Sequence, residues 1–174
     1  VVPVTVKGRK GETVVDTDEE PGKIDVAKIP GLRAAFGKGG VLTAASSSKI
    51  SDGAAATVLM SADEAASRGL TPLARIVAHA THAQAPEWFT TAPVDAIRNV
   101  LAKAGWSVED VDLFEVNEAF ACVAMAPMRE LGIAHGKLNV NGGACALGHP
   151  IGASGARLVV TLLHALRQRG LKRG

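Results

Sequence analysis

The sequence predicts a layered α/β fold, and three observations support this. Of its 174 residues, 47% are hydrophobic, which is enough to build a buried core. After Pro72, segments that favour strands alternate with segments that favour helices, as is typical of layered α/β proteins. The last segment, 153–170, carries leucine and valine at helical spacing and is followed by basic residues that suit the carboxyl end of a helix.

The part of the chain before Pro72 predicts shorter elements. Two β-branched runs, 2–6 and 13–15, flank the turn Gly8–Gly11 and predict a β-hairpin. Residues 16–40 are polar and rich in glycine and proline, which predicts loop with one short helix near 26–36. The remaining elements predicted here are a strand at 41–43 and a helix at 63–68.

The part of the chain after Pro72 predicts three strands and three helices. We predict strands at 73–80, 111–116 and 137–140, and helices at 92–105, 118–132 and 153–170. The alternation finishes on a helix with no strand after it, although such a helix usually packs back against a following strand. We therefore expect this chain to be part of a longer one.

Composition argues against several classes of protein. The net charge of +2, with two tryptophans, four phenylalanines and no tyrosine, is unlike that of a nucleic-acid-binding protein. The longest apolar run, 119–128, is too short to cross a bilayer, and the start of the chain does not resemble a signal peptide. Two cysteines cannot build a disulfide framework. We expect a cytoplasmic protein that binds neither nucleic acid nor membrane.

Asn117 and Glu118 follow the predicted strand 111–116 and precede an apolar helix. Open α/β sheets tend to place their sites at the carboxyl ends of strands, so both residues are candidates for a functional role. The simpler interpretation is that Asn117 caps the helix and that Glu118 complements its positive end. The local sequence leaves both interpretations open.

A glycine-rich segment, 140–156, surrounds His149. It is not a P-loop, because it has no Gly-Lys-Ser or Gly-Lys-Thr, and its glycines lack the dinucleotide-binding spacing. The glycines allow close approach to a ligand, and the following helix would direct free N–H groups at the loop. His149 is then either a functional residue or a buried structural one, and the segment by itself does not decide.

The remaining candidates are weaker. His79 and His82 form a His-x-x-His pair, but no third ligand is spaced as in a zinc motif, which favours surface histidines. Cys122 and Cys145 lie among apolar residues, which favours a packing role for both. Lys7, Arg9 and Lys10 are most simply the solvated side chains of a turn, and contact with a phosphate is the alternative.

The segments Asn117–Phe120 and Gly142–Arg157 together resemble the thiolase family of acetyl-CoA acetyltransferases and 3-ketoacyl-CoA thiolases. The segments Lys7–Gly11, Leu42–Met60 and Leu73–Ile76 are similar to its biosynthetic, acetoacetyl-CoA branch. Nearly the whole chain aligns in order. The resemblance implies a thiolase-like α/β/α architecture, of which this chain is the C-terminal half.

The resemblance also implies a division into domains. Residues 1–49 would be the end of the loop domain, 50–72 the last segment of the N-terminal domain, and 73–174 a C-terminal domain without its final strands. The acylated cysteine of the family would lie in the earlier half, and the proton-shuttling cysteine in a Cys-x-Gly loop beyond Gly174. The chain by itself is therefore expected to be inactive.

The resemblance assigns roles to residues of this chain. His149 would help to deprotonate the nucleophilic thiol and would donate to the thioester oxygen, and Asn117 would hold the water that completes the oxyanion site. Positions matching the coenzyme A and pantetheine channel are Phe36, Ala44, Ser48, Ala119 and Phe120. Coenzyme A thioesters would be substrates, no metal or other cofactor is implied, and the protein would be a homodimer or homotetramer.

Two positions depart from the family pattern. Ser46 stands where the family usually has asparagine, and it can still hydrogen-bond a turn. Many relatives have arginine after the proline that aligns with Pro21, whereas this chain has Gly22 and then Lys23. Coenzyme A would then be bound either more weakly or by Lys23 as a point charge.

Two alternatives to an acetyl-CoA acetyltransferase remain open at this point. One is a degradative 3-ketoacyl-CoA thiolase, because chain-length preference depends on loops mostly outside this chain. The other is a thiolase-like module that binds acyl-CoA without catalysis, because both family cysteines are missing here.

Overall fold

The computed structural model describes residues 2–174, which divide into two compact units. One unit ends at Arg33 and the other spans Ala34–Gly174. The strands are β1 (Val4–Gly8) and β2 (Gly11–Val15). The α-helices are α1 (Glu20–Lys23), α2 (Ala62–Ser67), α3 (Ala92–Ala104), α4 (Ala121–Leu131), α5 (Ala144–Leu147) and α6 (Ile151–Arg169). Short 3₁₀ helices lie at Val26–Gly31, Ala44–Ser46, Pro86–Thr91 and His135–Lys137.

The first unit contains the predicted hairpin. β1 and β2 pair antiparallel from Val4 opposite Val15 to Gly8 opposite Gly11. The predicted short helix is the 3₁₀ helix Val26–Gly31.

Lys23, the proposed point charge, is engaged within the first unit. Its Nζ lies 2.5 Å from Oε2 of Glu19 and 3.6 Å from Oε1 of Glu20. The Glu19 carboxylate raises the pKa of Lys23, so the ammonium group stays charged while it binds acidic side chains of its own helix region.

Residues 111–116 lie between two groups of helices at the centre of the second unit. Phe114 shares a buried apolar cluster with Val123 of α4, and Leu113 shares another with Leu166 of α6. Successive residues of an extended chain point to opposite sides. Leu113 and Glu115 face α6, whereas Val111, Phe114 and Val116 pack in the cluster that contains Val123 of α4. Helices therefore cover both sides of this segment, as expected for α/β/α layers.

Strand pairing in the second unit is much more limited than the sequence predicts. The predicted strands 111–116 and 137–140 meet in one parallel bridge between Phe114 and Leu138. There the N–H of Phe114 donates to the carbonyl of Lys137 over 2.8 Å, and the N–H of Asn139 donates to the carbonyl of Phe114 over 2.9 Å.

The predicted strands at 41–43 and 73–80 are wrong for the described structure, which has no strand at either position. The carbonyl of Leu42 accepts from the N–H of Ala35 over 2.8 Å, but neither segment forms the ladder of backbone hydrogen bonds that a strand needs. Leu73 and Ile76 accordingly remain 62% and 70% exposed.

The predicted helices of the second unit are confirmed as α2, α3, α4 and α6. α2 begins at Ser61, whose hydroxyl accepts from the N–H of Glu64 over 3.1 Å. α4 begins three residues later than predicted, after Phe120. Asn117 therefore does not cap α4, and the capping interpretation is wrong.

Candidate active site

Asn117 and His149 meet although 31 residues separate them in the sequence. Asn117 directly follows the segment 111–116 on the side that faces α6, and His149 lies between α5 and α6. Nδ2 of Asn117 is 3.3 Å from Nε2 of His149. The structure thus brings together the two residues that the sequence analysis singled out.

His149 is held on both its backbone and its ring. Its N–H donates to the carbonyl of Lys49 over 2.8 Å, and it forms a parallel bridge with Ile50. Its Nδ1 lies 2.6 Å from Oγ of Ser154, which is only 4% exposed. The Ser154 hydroxyl in turn donates to the carbonyl of Pro150 over 3.1 Å.

These contacts assign the tautomer of the neutral ring. Because the hydroxyl hydrogen of Ser154 points at Pro150, its oxygen is free to accept a hydrogen from Nδ1 of His149. Nε2 then carries the lone pair and accepts from the amide of Asn117. The ring presents a proton acceptor to the site, as a general base must.

Gly148 allows the His149 loop to meet the segment after Ser48. Its φ of +91° lies in the region that favours glycine. A Cβ at this position would also overlap Oγ of Ser51. An open groove of about 450 Å³ lies beside this contact, lined by residues 51–55 and 150–153.

The carbonyl oxygen of the Asn117 side chain is buried and has no hydrogen-bond partner among the described residues. A buried amide oxygen without a partner costs roughly 1–3 kcal/mol. The position therefore suits a small donor such as water.

Glu115 and Arg157 form a buried pair beneath the site. Glu115 lies on the same side of its segment as Asn117, and Oε2 is 3.5 Å from Nη1 of Arg157 on α6. Their side chains are 2% and 18% exposed. Burial raises the pKa of Glu115, and the guanidinium of Arg157 opposes that effect. The pair joins the segment that carries Asn117 to the helix that carries Ser154.

The predicted channel residues Phe36, Ser48, Ala119 and Phe120 also come together. The rings of Phe36 and Phe120 lie edge to face with centroids 5.4 Å apart. The backbone and hydroxyl of Ser48 both donate to the carbonyl of Ala119, over 3.1 and 3.0 Å. Phe89, which the sequence analysis did not select, lies 6.2 Å from Phe120.

Ala44 begins the 3₁₀ helix four residues before Ser48 and is exposed. Ser46 closes this turn, as expected, because its hydroxyl oxygen accepts from the N–H of Thr43 over 3.0 Å. The structure thus places Ala44 in the turn that leads to the channel residues without burying it.

Cys145 does not have the character of an activated nucleophile. Cys122 and Cys145 are both free thiols. Burial, with a further contribution from the carboxylate of Glu118, raises the pKa of Cys145 to about 11. A thiol is nucleophilic as its thiolate, so Cys145 is unreactive near neutral pH.

The His-x-x-His pair forms no metal centre in the described part of the chain, where no three metal-binding side chains cluster. His82 instead has its Nε2 3.2 Å from Oε1 of Gln84 and 3.6 Å from Oδ2 of Asp95.

Ser154, which contacts the ring of His149, is a residue of the candidate site that sequence reasoning missed. Its signal was available, because a serine five residues after His149 falls in the first turn of the predicted helix, where it can reach back to the preceding loop.

Known families match nearly the whole chain. The family described as "Thiolase, C-terminal domain" matches residues 70–174, and "Thiolase, N-terminal domain" matches residues 1–63. The chain belongs to the thiolase family. The predicted boundaries of its domains, at 49/50 and 72/73, stay a prediction.

Similar curated proteins carry thiolase names. The chain is 52% identical to acetyl-CoA acetyltransferase of Paracoccus denitrificans over 175 aligned residues, which cover all of this chain and 45% of the relative. It is 53% identical to a probable acetyl-CoA acetyltransferase of Dictyostelium discoideum, covering all of this chain and 42% of the relative. This thiolase chain thus spans less than half the length of these relatives.

Solved thiolases share its fold. The crystal structure of the Bacillus anthracis acetyl-CoA acetyltransferase matches with a TM-score of 0.89 and 46% identity over 98% of this chain and 44% of that one. Human mitochondrial 3-ketoacyl-CoA thiolase matches with a TM-score of 0.82 and 38% identity over 97% of this chain and 43% of that one. The fold is a partial thiolase-like α/β fold. Within residues 2–174, no helix has the length and apolar character needed to cross a membrane.

Proposed function

We propose that the full-length protein is an acetyl-CoA acetyltransferase. It joins two acetyl-CoA molecules into acetoacetyl-CoA and CoA, or cleaves acetoacetyl-CoA with CoA in the reverse direction. The observation that carries this proposal is the 3.3 Å approach of Asn117 to His149 in a thiolase chain, with Nε2 of the ring left as an acceptor. The 52–53% identity to proteins of that name supports the choice of reaction.

In this proposal His149 transfers the proton of the nucleophilic thiol. Nε2 takes the S–H proton, the thiolate attacks the carbonyl carbon of an acyl-CoA, and the bond from that carbon to the sulfur of CoA breaks. The protonated ring then returns the proton to the departing CoA thiolate. The thiol belongs to a cysteine outside this chain, because the family resemblance assigns that role to neither Cys122 nor Cys145 and Cys145 has a pKa of about 11.

Asn117 completes the oxyanion site through a water in this proposal. Its buried, unpartnered Oδ1 would accept one hydrogen of that water, whose other hydrogen would face the acyl oxygen. A fixed donor of this kind is worth about 2.7–4 kcal/mol in an acyl-transfer transition state. Protonated Nε2 of His149 would supply a second donor to the same oxygen.

The aromatic residues beside the site fit an acyl-pantetheine arm. Phe36 and Phe120 meet edge to face, and Ser48 ties its loop to the backbone of Ala119. Apolar walls with a few fixed polar groups are typical of small-molecule sites. We expect Ala44 to contribute its small side chain at the start of the same loop.

The decisive assay uses the full-length protein. We expect CoA-dependent cleavage of acetoacetyl-CoA with a higher kcat/KM than for longer 3-ketoacyl-CoA substrates. A higher value for the longer substrates would instead identify a degradative thiolase. Binding of acyl-CoA without turnover would identify a non-catalytic module.

The family resemblance adds an oligomeric partner to the proposal, and the composition of the chain adds a compartment. We expect a homodimer or homotetramer in the cytoplasm that needs no cofactor beyond its coenzyme A thioester substrates. The molar mass from light scattering tests the oligomer, and imaging of the tagged full-length protein tests the compartment.

A further inference from the structure

We propose that Glu118 is a positioning residue that sets the approach of Asn117 to His149, with Asn139 as its partner. This proposal rests on the proposed function for its kinetic consequence. We call the pair Glu118 and Asn139 the carboxylate–amide clamp, because the carboxylate of one binds the side-chain amide of the other.

Asn139 holds the backbone on one side of Asn117. Its Oδ1 accepts from the N–H of Val116 over 2.8 Å, and its Nδ2 donates to the carbonyl of Val116 over 2.9 Å. The side-chain amide thus makes the two backbone hydrogen bonds that a neighbouring strand would otherwise make with Val116. Asn139 has a φ of +47°, a conformation that asparagine adopts more readily than most residues.

Glu118 holds the other side of Asn117. Its Oε1 accepts from Nδ2 of Asn139 over 2.9 Å. The side-chain amide of Asn139 therefore binds the residues on both sides of Asn117, namely Val116 and Glu118. With its backbone held at both ends, its side chain is directed at His149.

The second oxygen of Glu118 reaches the segment that leads to His149. Oε2 accepts from the N–H of Cys145, in the first turn of α5, over 3.1 Å. The single turn of α5 ends where the N–H of Gly148 donates to the carbonyl of Ala144 over 3.0 Å, directly before His149. One carboxylate thus joins both loops of the site.

Gly143 shows how closely the two loops approach at this contact. A Cβ at this buried position would overlap the carboxyl group of Glu118. The carboxylate lies directly against backbone, so even one added methyl group would displace it. Close packing of this kind lets a small local change move the residues that follow.

Glu118 serves as a hydrogen-bond acceptor at both of its side-chain oxygens. Both partners of Glu118 are N–H donors, and a carboxylate can accept at both oxygens. A glutamine of the same shape would direct its own NH₂ group at one of those donors. The variant Glu118→Gln therefore breaks one link without changing the volume of the side chain.

The experiment compares Glu118→Gln with Glu130→Gln in the full-length protein. Glu130 is exposed on α4 and serves as a matched control. We expect kcat for acetoacetyl-CoA cleavage to fall by about ten- to a hundredfold in Glu118→Gln, because small misplacements of reacting groups have effects of this size. KM and the melting temperature should stay close to those of the control.

A double-mutant cycle tests the link within the clamp. Asn139→Asp alone places two carboxylates face to face, whereas adding Glu118→Gln restores an amide–carboxylate contact with reversed roles. We expect the double variant to be more active than Asn139→Asp alone, because contacting residues are not additive. Gly143→Ala, which displaces the carboxylate sterically, should lower kcat as Glu118→Gln does.

Two results would overturn the proposal. One is a kcat of Glu118→Gln equal to that of the control. The other is a decrease in kcat that disappears once the rate is divided by the fraction of protein that is folded and can be acylated. If the wild-type protein shows no thiolase turnover, the proposed function fails. The ¹⁵N signals of the His149 ring then decide the inference, which requires them to shift in Glu118→Gln and not in Glu130→Gln.

Discussion

Oγ of Ser154 lies 2.6 Å from Nδ1 of His149, and the same hydroxyl donates a hydrogen bond to the carbonyl of Pro150. These two hydrogen bonds orient the ring and leave Nε2 as the acceptor that faces Asn117. A residue in the first turn of α6 thus determines which nitrogen of His149 can take a proton.

Ser154→Ala should lower kcat for acetoacetyl-CoA cleavage by about ten- to a hundredfold while KM changes little, because losing a buried partner costs roughly 1–3 kcal/mol. Steady-state kinetics on the full-length protein measure both constants. Ser67→Ala, at an exposed serine of α2, is the control. An unchanged kcat in Ser154→Ala would show that Asn117 alone suffices to orient the ring.

His149→Ala should lower turnover by about 10⁴-fold or more, because it removes both the proton acceptor and an oxyanion donor. Asn117→Ala should be milder, since Asn117 acts through water. Acyl-CoA binding, measured by calorimetry, should persist in both variants. His135→Ala, at an exposed position, is the matched control. Full activity of His149→Ala would refute the role given to His149.

Arg157→Leu should destabilise the protein, and the loss should grow as the pH rises. Burial already raises the pKa of Glu115, and removing Arg157 takes away the charge that opposes this effect. A carboxyl group whose pKa is raised by folding leaves stability intact below its unfolded pKa and reduces it as pH rises through the folded pKa. Breaking a buried pair costs about 3–5 kcal/mol when the remaining charge stays ionised.

The measurement for this variant is the melting temperature of the full-length protein at about pH 5 and about pH 8. The deficit relative to wild type should be larger at the higher pH. The double variant Glu115→Gln/Arg157→Leu should show less of this pH dependence, because no carboxylate remains to ionise. A deficit independent of pH would contradict an ionised Glu115 as the cause.

Cys145 should resist alkylation near neutral pH. With a pKa of about 11, only about one thiol in a thousand is ionised at pH 8. Its modification by iodoacetamide, followed by peptide mass mapping, should accelerate as the pH approaches that value. Rapid modification of Cys145 at pH 7 would show that its environment is not the buried one described.

Much of the site could be predicted from local sequence patterns. The junction of a strand-like segment with an apolar helix marked Asn117, and the glycine-rich run before α6 marked His149. The same junction led to one wrong interpretation, because helix capping was the simpler role for Asn117. Asn117 contacts His149 instead, because α4 begins only after its N-cap residue, Phe120.

The strands were the least predictable part of the fold. The residues of 73–80 and 111–116 favour an extended chain, but strand pairing depends on partners elsewhere in the chain. Phe114 pairs with Leu138 in one parallel bridge, whereas residues 73–80 pair with no strand among the described residues.

The sequence by itself determined the family, the helices and the two residues that face each other across the site, because these follow from short patterns of residue type and spacing. Only the tertiary structure decided how those two residues are held. The tautomer of His149, the pair Glu115–Arg157 and the two oxygens of Glu118 all depend on distances between atoms of separate segments. Such distances are set by packing on both sides of residues 111–116, which no local pattern specifies.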